Sequence, residues 1–309
     1  MYSKLLHKLT YRFHRLGFYL CSVKYGYEDG CLKQNKFKCL LSNLIDKFKI
    51  FNYKYGYYEY LEIPITTKCS LRCKGCSNLI PCYNKQSDYD INTLIKSIKM
   101  FLECINNIVY VRLLGGEPFL SRNLYRVIKE LLKSDKIQRI EVVTNGTIIP
   151  KELRLIKILR DSRIIVCISD YPIVDNNKLI LFLKENNINY RLDKMKFWMD
   201  YGSPVKRNKS EKELIKQFHN CSNICKSLIN GQLHLCPRSS HGVDLGIIKD
   251  NSDDYLDLLD KNLTIMEKRE KINKLFEKKY IIACDYCDFG TSKCKKIPVA
   301  EQLKFKSRK

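Results

Sequence analysis

Between residues 58 and 200, five short apolar runs alternate with four longer stretches whose apolar residues recur at helical spacing. The runs are 61–66, 110–114, 140–144, 164–169 and 188–192, and the stretches are 91–104, 123–133, 151–160 and 177–186. Runs this short read as strands, and periodic stretches this long as helices. Strand–helix–strand alternation calls for a parallel sheet with right-handed crossovers, so an open or partly closed α/β barrel is expected. Functional groups in such sheets gather beyond the carboxyl ends of the strands. Three polar segments follow strands here: a cysteine loop after the first, Gly115-Gly116-Glu117-Pro118 after the second and Thr144-Asn145-Gly146-Thr147 after the third. They should share one face. By the same argument Ser169 and Asp170, at the end of the fourth run, face that site, although both are also ordinary N-cap residues.

The cysteine loop carries Cys69, Cys73 and Cys76, the spacing C-x3-C-x2-C. One loop thereby supplies three thiolates. A [4Fe–4S] cluster held by four cysteines is closed to ligands, whereas one held by three keeps an iron open. Zinc is the plainer alternative, but it asks for a fourth Cys or His nearby, and Cys82 lies beyond Pro81.

With these three motifs in this order, the chain resembles the radical S-adenosylmethionine (SAM) enzymes over about residues 60 to 195. The resemblance implies a partial (β/α)6 barrel. It implies a SAM-binding [4Fe–4S] cluster on Cys69, Cys73 and Cys76, and contact of Gly115, Gly116 and Glu117 with the SAM amino group. Polar residues at the third and fourth strand ends, here Thr144, Asn145, Ser169 and Asp170, would meet its ribose. One departure stands out. Many family members place an aromatic residue just before the third cysteine, near the adenine, and here that position is Gly75. The adenine would need another apolar wall.

From about residue 210 the pattern changes to cysteines and loops. Cys221, Gly231 and Cys236 are followed by Cys284-x2-Cys287 and Cys294, with Cys225 inside the first interval. This resembles the C-terminal SPASM extension of radical SAM maturases, or the shorter twitch version. The glycine permits a hairpin between the first cysteines. The twitch resemblance implies a second, auxiliary [4Fe–4S] cluster on Cys221, Cys236, Cys284 and Cys287. Cys225 could stand in for Cys221, Cys294 has no assigned role, and a structural zinc site is the alternative. Trp198, the single tryptophan, lines a pocket or anchors one domain on the next; the anchor is the preferred reading. His241 is a candidate for facing the substrate cavity.

Three regions are therefore expected: a basic aromatic extension over 1–57, a barrel over 58–205 and a cysteine-rich C-terminal domain over 206–309. In the extension, Leu5, Leu9, Phe13 and Leu16 recur at helical spacing beside Lys4, Lys8, Arg12 and Arg15. That is a surface helix packed on the next domain, or a basic amphipathic helix in peripheral contact with a membrane. Cys21, Cys31 and Cys39 lack ligand spacing. The net charge of +23 comes from lysines spread along the whole chain, and no nucleic-acid-binding motif accompanies it. No run of 18 apolar residues and no secretory h-region is present, and the clustering of cysteines, among the 15 of the chain, at metal-ligand spacings points to a reducing, cytoplasmic setting.

The function these readings imply is reductive cleavage of SAM to a 5′-deoxyadenosyl radical that takes hydrogen from a substrate. An electron donor such as flavodoxin or ferredoxin is implied. The SPASM-like resemblance suggests peptide or protein maturation. Oxidation or rearrangement of a small sugar-like molecule is the alternative, and a non-catalytic iron–sulfur or zinc protein is a third reading.

Overall fold

The computed structural model describes residues 56–221 and 225–303. The candidate N-terminal helix, with Cys21, Cys31 and Cys39, lies outside the described residues.

Five parallel strands and four helices alternate: β1 (Tyr57–Thr66), α1 (Ile91–Cys104), β2 (Asn107–Gly115), α2 (Leu124–Leu131), β3 (Ile137–Thr144), α3 (Leu153–Ile158), β4 (Ile164–Asp170), α4 (Asn177–Glu185) and β5 (Tyr190–Lys194). Helix α1 shows how local sequence sets an element. Asp90 caps it by accepting from the Thr93 N–H at 2.7 Å, and Leu94, Ile98 and Phe101 bury one face.

The parallel register sorts side chains into rows. Leu61, Val111, Ile140 and Ile164 are paired across β1 to β4, each at most 1% exposed, and they join the helix stripes in one core. Each such side chain stabilises the fold by about 1.5–3 kcal/mol relative to exposure. The next row points to the opposite face, because side chains alternate along a strand. It reads Glu62, Arg112 and Glu141, with Ser227 beside Glu62. A parallel sheet covered by helices on both faces is apolar on both. This one is polar inside and apolar outside, as a barrel with a lumen requires.

After β5 the chain forms β6 (Trp198–Met199), α5 (Glu211–Asn220), β7 (Ser227–Ile229), β8 (Gln232–His234), α6 (Pro237–Asp244), β9 (Tyr255–Asp257), α7 (Ile265–Phe276) and β10 (Lys296–Ile297). Strand β6 stays out of the large sheet and pairs with β10. Strand β7 instead joins the free edge of β1, so the sheet runs β5-β4-β3-β2-β1-β7-β8-β9. The β7–β8 hairpin turns at Asn230-Gly231, with φ of 48° and 87°. Positive φ at both positions is what a two-residue hairpin of this hand needs, and Asn-Gly supplies it. Among the described residues no helix is long and apolar enough to cross a membrane.

Candidate functional site

Cys69, Cys73 and Cys76 lie on the loop that leaves β1, beside the turns that end β2 and β3. The glycines of Gly115-Gly116 seat this loop. A Cβ on Gly116 would stand 2.1 Å from the Lys68 carbonyl oxygen and 2.8 Å from Cys69 Cβ, and one on Gly115 would stand 2.1 Å from the Thr66 oxygen. The backbones pack so closely that the Glu117 N–H donates to the Lys68 carbonyl at 2.7 Å.

Glu117 is fully buried. Its Oε1 accepts from the Phe119 N–H at 3.1 Å and the Thr144 hydroxyl at 2.8 Å, and its Oε2 accepts from the Asn145 N–H at 2.8 Å. The carboxylate thus ties the ends of β2 and β3 together. Burial raises its pKa to about 7, against these three donors. Asn145 continues the chain of contacts. Its Nδ2 lies 3.6 Å from Cys69 Sγ and donates to Ser70 Oγ at 3.1 Å, while its Oδ1 accepts from the Thr147 N–H at 3.0 Å. At the end of β4, Asp170 accepts from Asn176 Nδ2 at 3.2 Å, and Ser169 is half-buried.

Each thiol of the loop has N–H neighbours. Besides Asn145, the Leu71 N–H donates to Cys69 Sγ at 3.4 Å, and Gln302 Nε2 donates to Cys73 Sγ at 3.3 Å. Burial dominates, pushing Cys69 up to about 11 and Cys76 to about 12; each is raised further by the other loop thiols. The segment carrying Gln302 runs along the loop, with the Lys74 N–H on the Glu301 carbonyl at 2.7 Å and the Leu303 N–H on the Arg72 carbonyl at 2.8 Å.

A small second core surrounds Cys73: Val299 and Ala300, packed with Leu71, Cys76, Tyr171 and Trp198. Tyr171 and Trp198 meet edge to face at 5.5 Å. A Cβ on Gly75 would stand 2.5 Å from Ile297 Cδ1 and 3.4 Å from Trp198 Cε3. The space beside the third cysteine is therefore filled by β6 and β10 rather than by an aromatic residue of the loop itself.

The C-terminal cysteines gather separately. Cys221 ends α5, Cys236 caps α6, and Cys284 and Cys287 flank the turn at 284–287. Burial comes first in raising Cys236, and Cys284, Cys287 and Cys221 add to it, so the four thiols sense one another. Cys294 is raised by Cys287 and Cys221 as well. The turn is braced by cations. Lys209 Nζ donates to the Cys284 and Cys287 carbonyls at 3.0 and 2.6 Å, Arg238 Nε donates to the Tyr286 carbonyl at 3.1 Å, and Arg207 grips Asp288 through two bonds of 2.6 and 2.7 Å. Burial raises the Cys287 thiol above its ordinary range, and the Phe289 N–H and all three cations oppose that rise. Among the described residues, no three Cys, His, Asp or Glu side chains converge as ligands of a single metal ion. Cys225 is elsewhere: its sulfur accepts from the Tyr60 hydroxyl at 2.7 Å, beside Glu62 in the lumen.

Sequence reading missed that lumen. Glu141 meets Arg112 at 3.0 Å, Arg139 at 3.1 Å and Arg191 at 3.3 Å, and Tyr60 stacks on Tyr110 at 5.1 Å. The available signal was a single charged residue, Glu62, Arg112 or Glu141, inside each of three runs treated as apolar. His241 is fully buried in α6 and pushed down to about 3 by that burial, so its ring is neutral. The Tyr83 hydroxyl donates to Asp244 at 2.7 Å and lies 2.9 Å from His241 Nδ1. The ring therefore donates from Nδ1, and Nε2 is left as an acceptor with no partner among the described residues.

Residues 63–169 match the family model of the Radical SAM superfamily. The chain carries a radical SAM domain. Over 116 residues it is 30% identical to molybdenum cofactor biosynthesis protein 1 of Dictyostelium discoideum, covering 37% of this chain and 18% of that one. Over 101 residues it is 34% identical to GTP 3′,8-cyclase of Petrotoga mobilis, covering 32% and 31%. The chain thus spans less than a third of these two relatives. A solved structure of anSMEcpe with bound AdoMet aligns with a TM-score of 0.45 at 16% identity, covering 71% of this chain and 82% of that one. The matched residues run from within β1 to Ser169 in β4 and include the three loop cysteines, Gly115, Gly116, Glu117, Thr144 and Asn145; Asp170 and the C-terminal cysteines lie beyond the match.

Proposed function

We propose that this protein is a radical SAM enzyme with an auxiliary iron–sulfur cluster. The observation that carries the reading is the loop triad. Three mutually sensed thiols sit at the end of β1, seated on Gly115-Gly116 and supplied with N–H donors by Leu71, Asn145 and Gln302. Such donors suit thiolates bound to a cluster, because hydrogen bonds to sulfur stabilise its charge. Cys69, Cys73 and Cys76 would hold the first [4Fe–4S] cluster. When bound with SAM, it supplies the 5′-deoxyadenosyl radical that takes a hydrogen atom from substrate.

The protein's part is to hold and orient. Gly116 and the Glu117 network fix the floor on which the SAM amino group would rest. Thr144, Asn145, Ser169 and Asp170 stand at the strand ends where a ribose would be met. Trp198, Ile297 and Tyr171, beside Gly75, offer the apolar wall for the adenine. Cys221, Cys236, Cys284 and Cys287 would hold the auxiliary cluster, with Lys209, Arg207 and Arg238 offsetting its negative charge. The preferred substrate is a peptide or protein side chain. The polar lumen with Glu62, Arg112, Glu141 and Arg191 favours a second reading, a small polar molecule. An external donor of the flavodoxin or ferredoxin type would reduce the first cluster in a reducing, cytoplasmic setting.

Iron content tests the cofactor assignment. Anaerobically reconstituted protein should carry about eight irons per chain, as two four-iron clusters. About four irons with one zinc would remove the auxiliary cluster.

A further inference from the structure

The loop that carries Cys69, Cys73 and Cys76 turns a cationic side to solvent. Cys73 pairs with Gln302 as an antiparallel bridge, with the Lys74 N–H on the Glu301 carbonyl to one side and the Leu303 N–H on the Arg72 carbonyl to the other. Side chains alternate along extended backbone. Cys73 is buried with its sulfur on Gln302, so its neighbours turn the other way: Arg72 and Lys74 are exposed, and Leu303 is 38% exposed. The β6–β10 ribbon extends this surface. Its inward pair, Trp198 and Ile297, presses on Gly75. The residues just before them, Phe197 and Lys296, are both exposed, and Lys296 Nζ lies 4.1 Å from the centre of the Phe197 ring.

Two exposed apolar side chains, Phe197 and Leu303, thus share a surface with Arg72, Lys74 and Lys296. Glu301 meets Lys74 at 3.6 Å, with both side chains open to solvent. An exposed pair of this kind binds its members weakly. Aromatic and aliphatic anchors among cations are what a protein-binding surface offers, and the cations select a partner of opposite sign. Position narrows the partner further. Cys69 meets Asn145, at the strand ends where SAM would rest. Cys73 instead meets the segment that makes this surface, one residue from Arg72 and one from Lys74. An electron arriving here reaches a cluster ligand without crossing the SAM side.

We propose that this surface docks an acidic one-electron carrier protein, the donor that reduces the first cluster. The inference rests on the radical SAM reading above and adds to it the seat of the donor. One electron passes from the reduced carrier to the cluster, and no atom is transferred. Small contacts are usual for redox partners, which must separate after each transfer. Opposite charges across such a contact steer the encounter and are screened by salt. A control surface lies at the other end of the barrel. Each helix runs antiparallel to its strands, so Lys129, Lys157 and Lys184, exposed in the last turns of α2, α3 and α4, stand at the amino ends of the sheet.

The test uses the reconstituted full-length protein and a purified acidic flavodoxin. Calorimetric titration of the two oxidised proteins at low ionic strength should show one saturable site per chain, weakened by added salt. Arg72→Gln/Lys74→Gln/Lys296→Gln should weaken it by about tenfold or more, and Lys129→Gln/Lys157→Gln/Lys184→Gln, which removes the same charge, by less than about twofold. In stopped-flow absorbance, cluster reduction by flavodoxin hydroquinone should slow by about tenfold or more in the first variant, whereas reduction by dithionite, which needs no docked protein, should change by less than about twofold. If the first variant loads no iron, Lys296→Glu, off the cysteine loop, should weaken binding by about threefold or more. Equal loss in the Lys129/Lys157/Lys184 control overturns the proposal, because it traces binding to the net charge of +23. A loaded parent protein without saturable binding also overturns it. Both results leave the radical SAM reading standing. A parent protein that loads no dithionite-reducible cluster overturns that reading, and the proposal with it.

Discussion

Gln302 Nε2 donates to Cys73 Sγ at 3.3 Å, across 229 residues of chain. The same side chain accepts from the Arg72 N–H at 2.8 Å, so the amide is oriented before it reaches the sulfur. The C-terminal segment is thereby part of the loop site.

Replacing Gln302 with Leu keeps the bulk and removes the donor. Less positive character at the sulfur should lower the reduction potential of the first cluster while its iron content is retained. An EPR-monitored redox titration reads this. An unchanged potential in a fully loaded variant would mean that Gln302 only packs.

Two glycines of the loop region separate packing from geometry. Gly116→Ala drives a methyl group into the Lys68 carbonyl and Cys69 Cβ, which are backbone and ligand. We expect loss of about half of the reconstituted iron and a stability cost of about 3 kcal/mol or more. Gly75→Ala meets the far end of Ile297, which can rotate away, so it should keep its iron and lose less than about 1.5 kcal/mol. Iron assay and thermal unfolding compare the two, and equal losses would contradict the seating role of Gly116.

Glu117 predicts a pH dependence. Its folded pKa is raised from 4.5 to about 7, so the folded state binds the proton more tightly than the unfolded one. The protonated form's contribution is fully present below about 4.5 and is lost as pH rises through 7. The loss is on the order of 3 kcal/mol across that window. Glu117→Gln cannot titrate, and its amide opposes the Asn145 N–H, so it should be less stable at pH 5. The gap to the parent protein should narrow toward pH 8. Chemical unfolding at both values checks this, and a gap that widens with pH would reverse the sign.

The barrel was legible because its code is local. Each strand is a short apolar run, each helix a periodic stretch, and helix α1 was read to its terminal residues. The turns at Gly115-Gly116 and Thr144-Asn145 were legible because strand ends of a parallel sheet share a face. Gln302 was not, since a contact spanning 229 residues leaves no local pattern. The lumen was missed for a different reason: Glu62, Arg112 and Glu141 sit inside runs whose apolar neighbours set the average. Trp198 could be read as an anchor but not placed. Only the fold shows it beside Gly75, where β6 and β10 close over the loop. Cys225 and Cys221 could not be told apart by spacing, and the fold parts them, Cys225 toward Tyr60 and Cys221 toward Cys284.

The most direct test is reductive SAM cleavage by the anaerobically reconstituted protein with dithionite. The account predicts that the parent protein forms 5′-deoxyadenosine. The Cys69→Ala/Cys73→Ala/Cys76→Ala variant should form none while keeping about half of the iron, and Cys284→Ala/Cys287→Ala should still form it. Formation of 5′-deoxyadenosine by the triple variant would contradict the assignment of the loop, and with it the central claim.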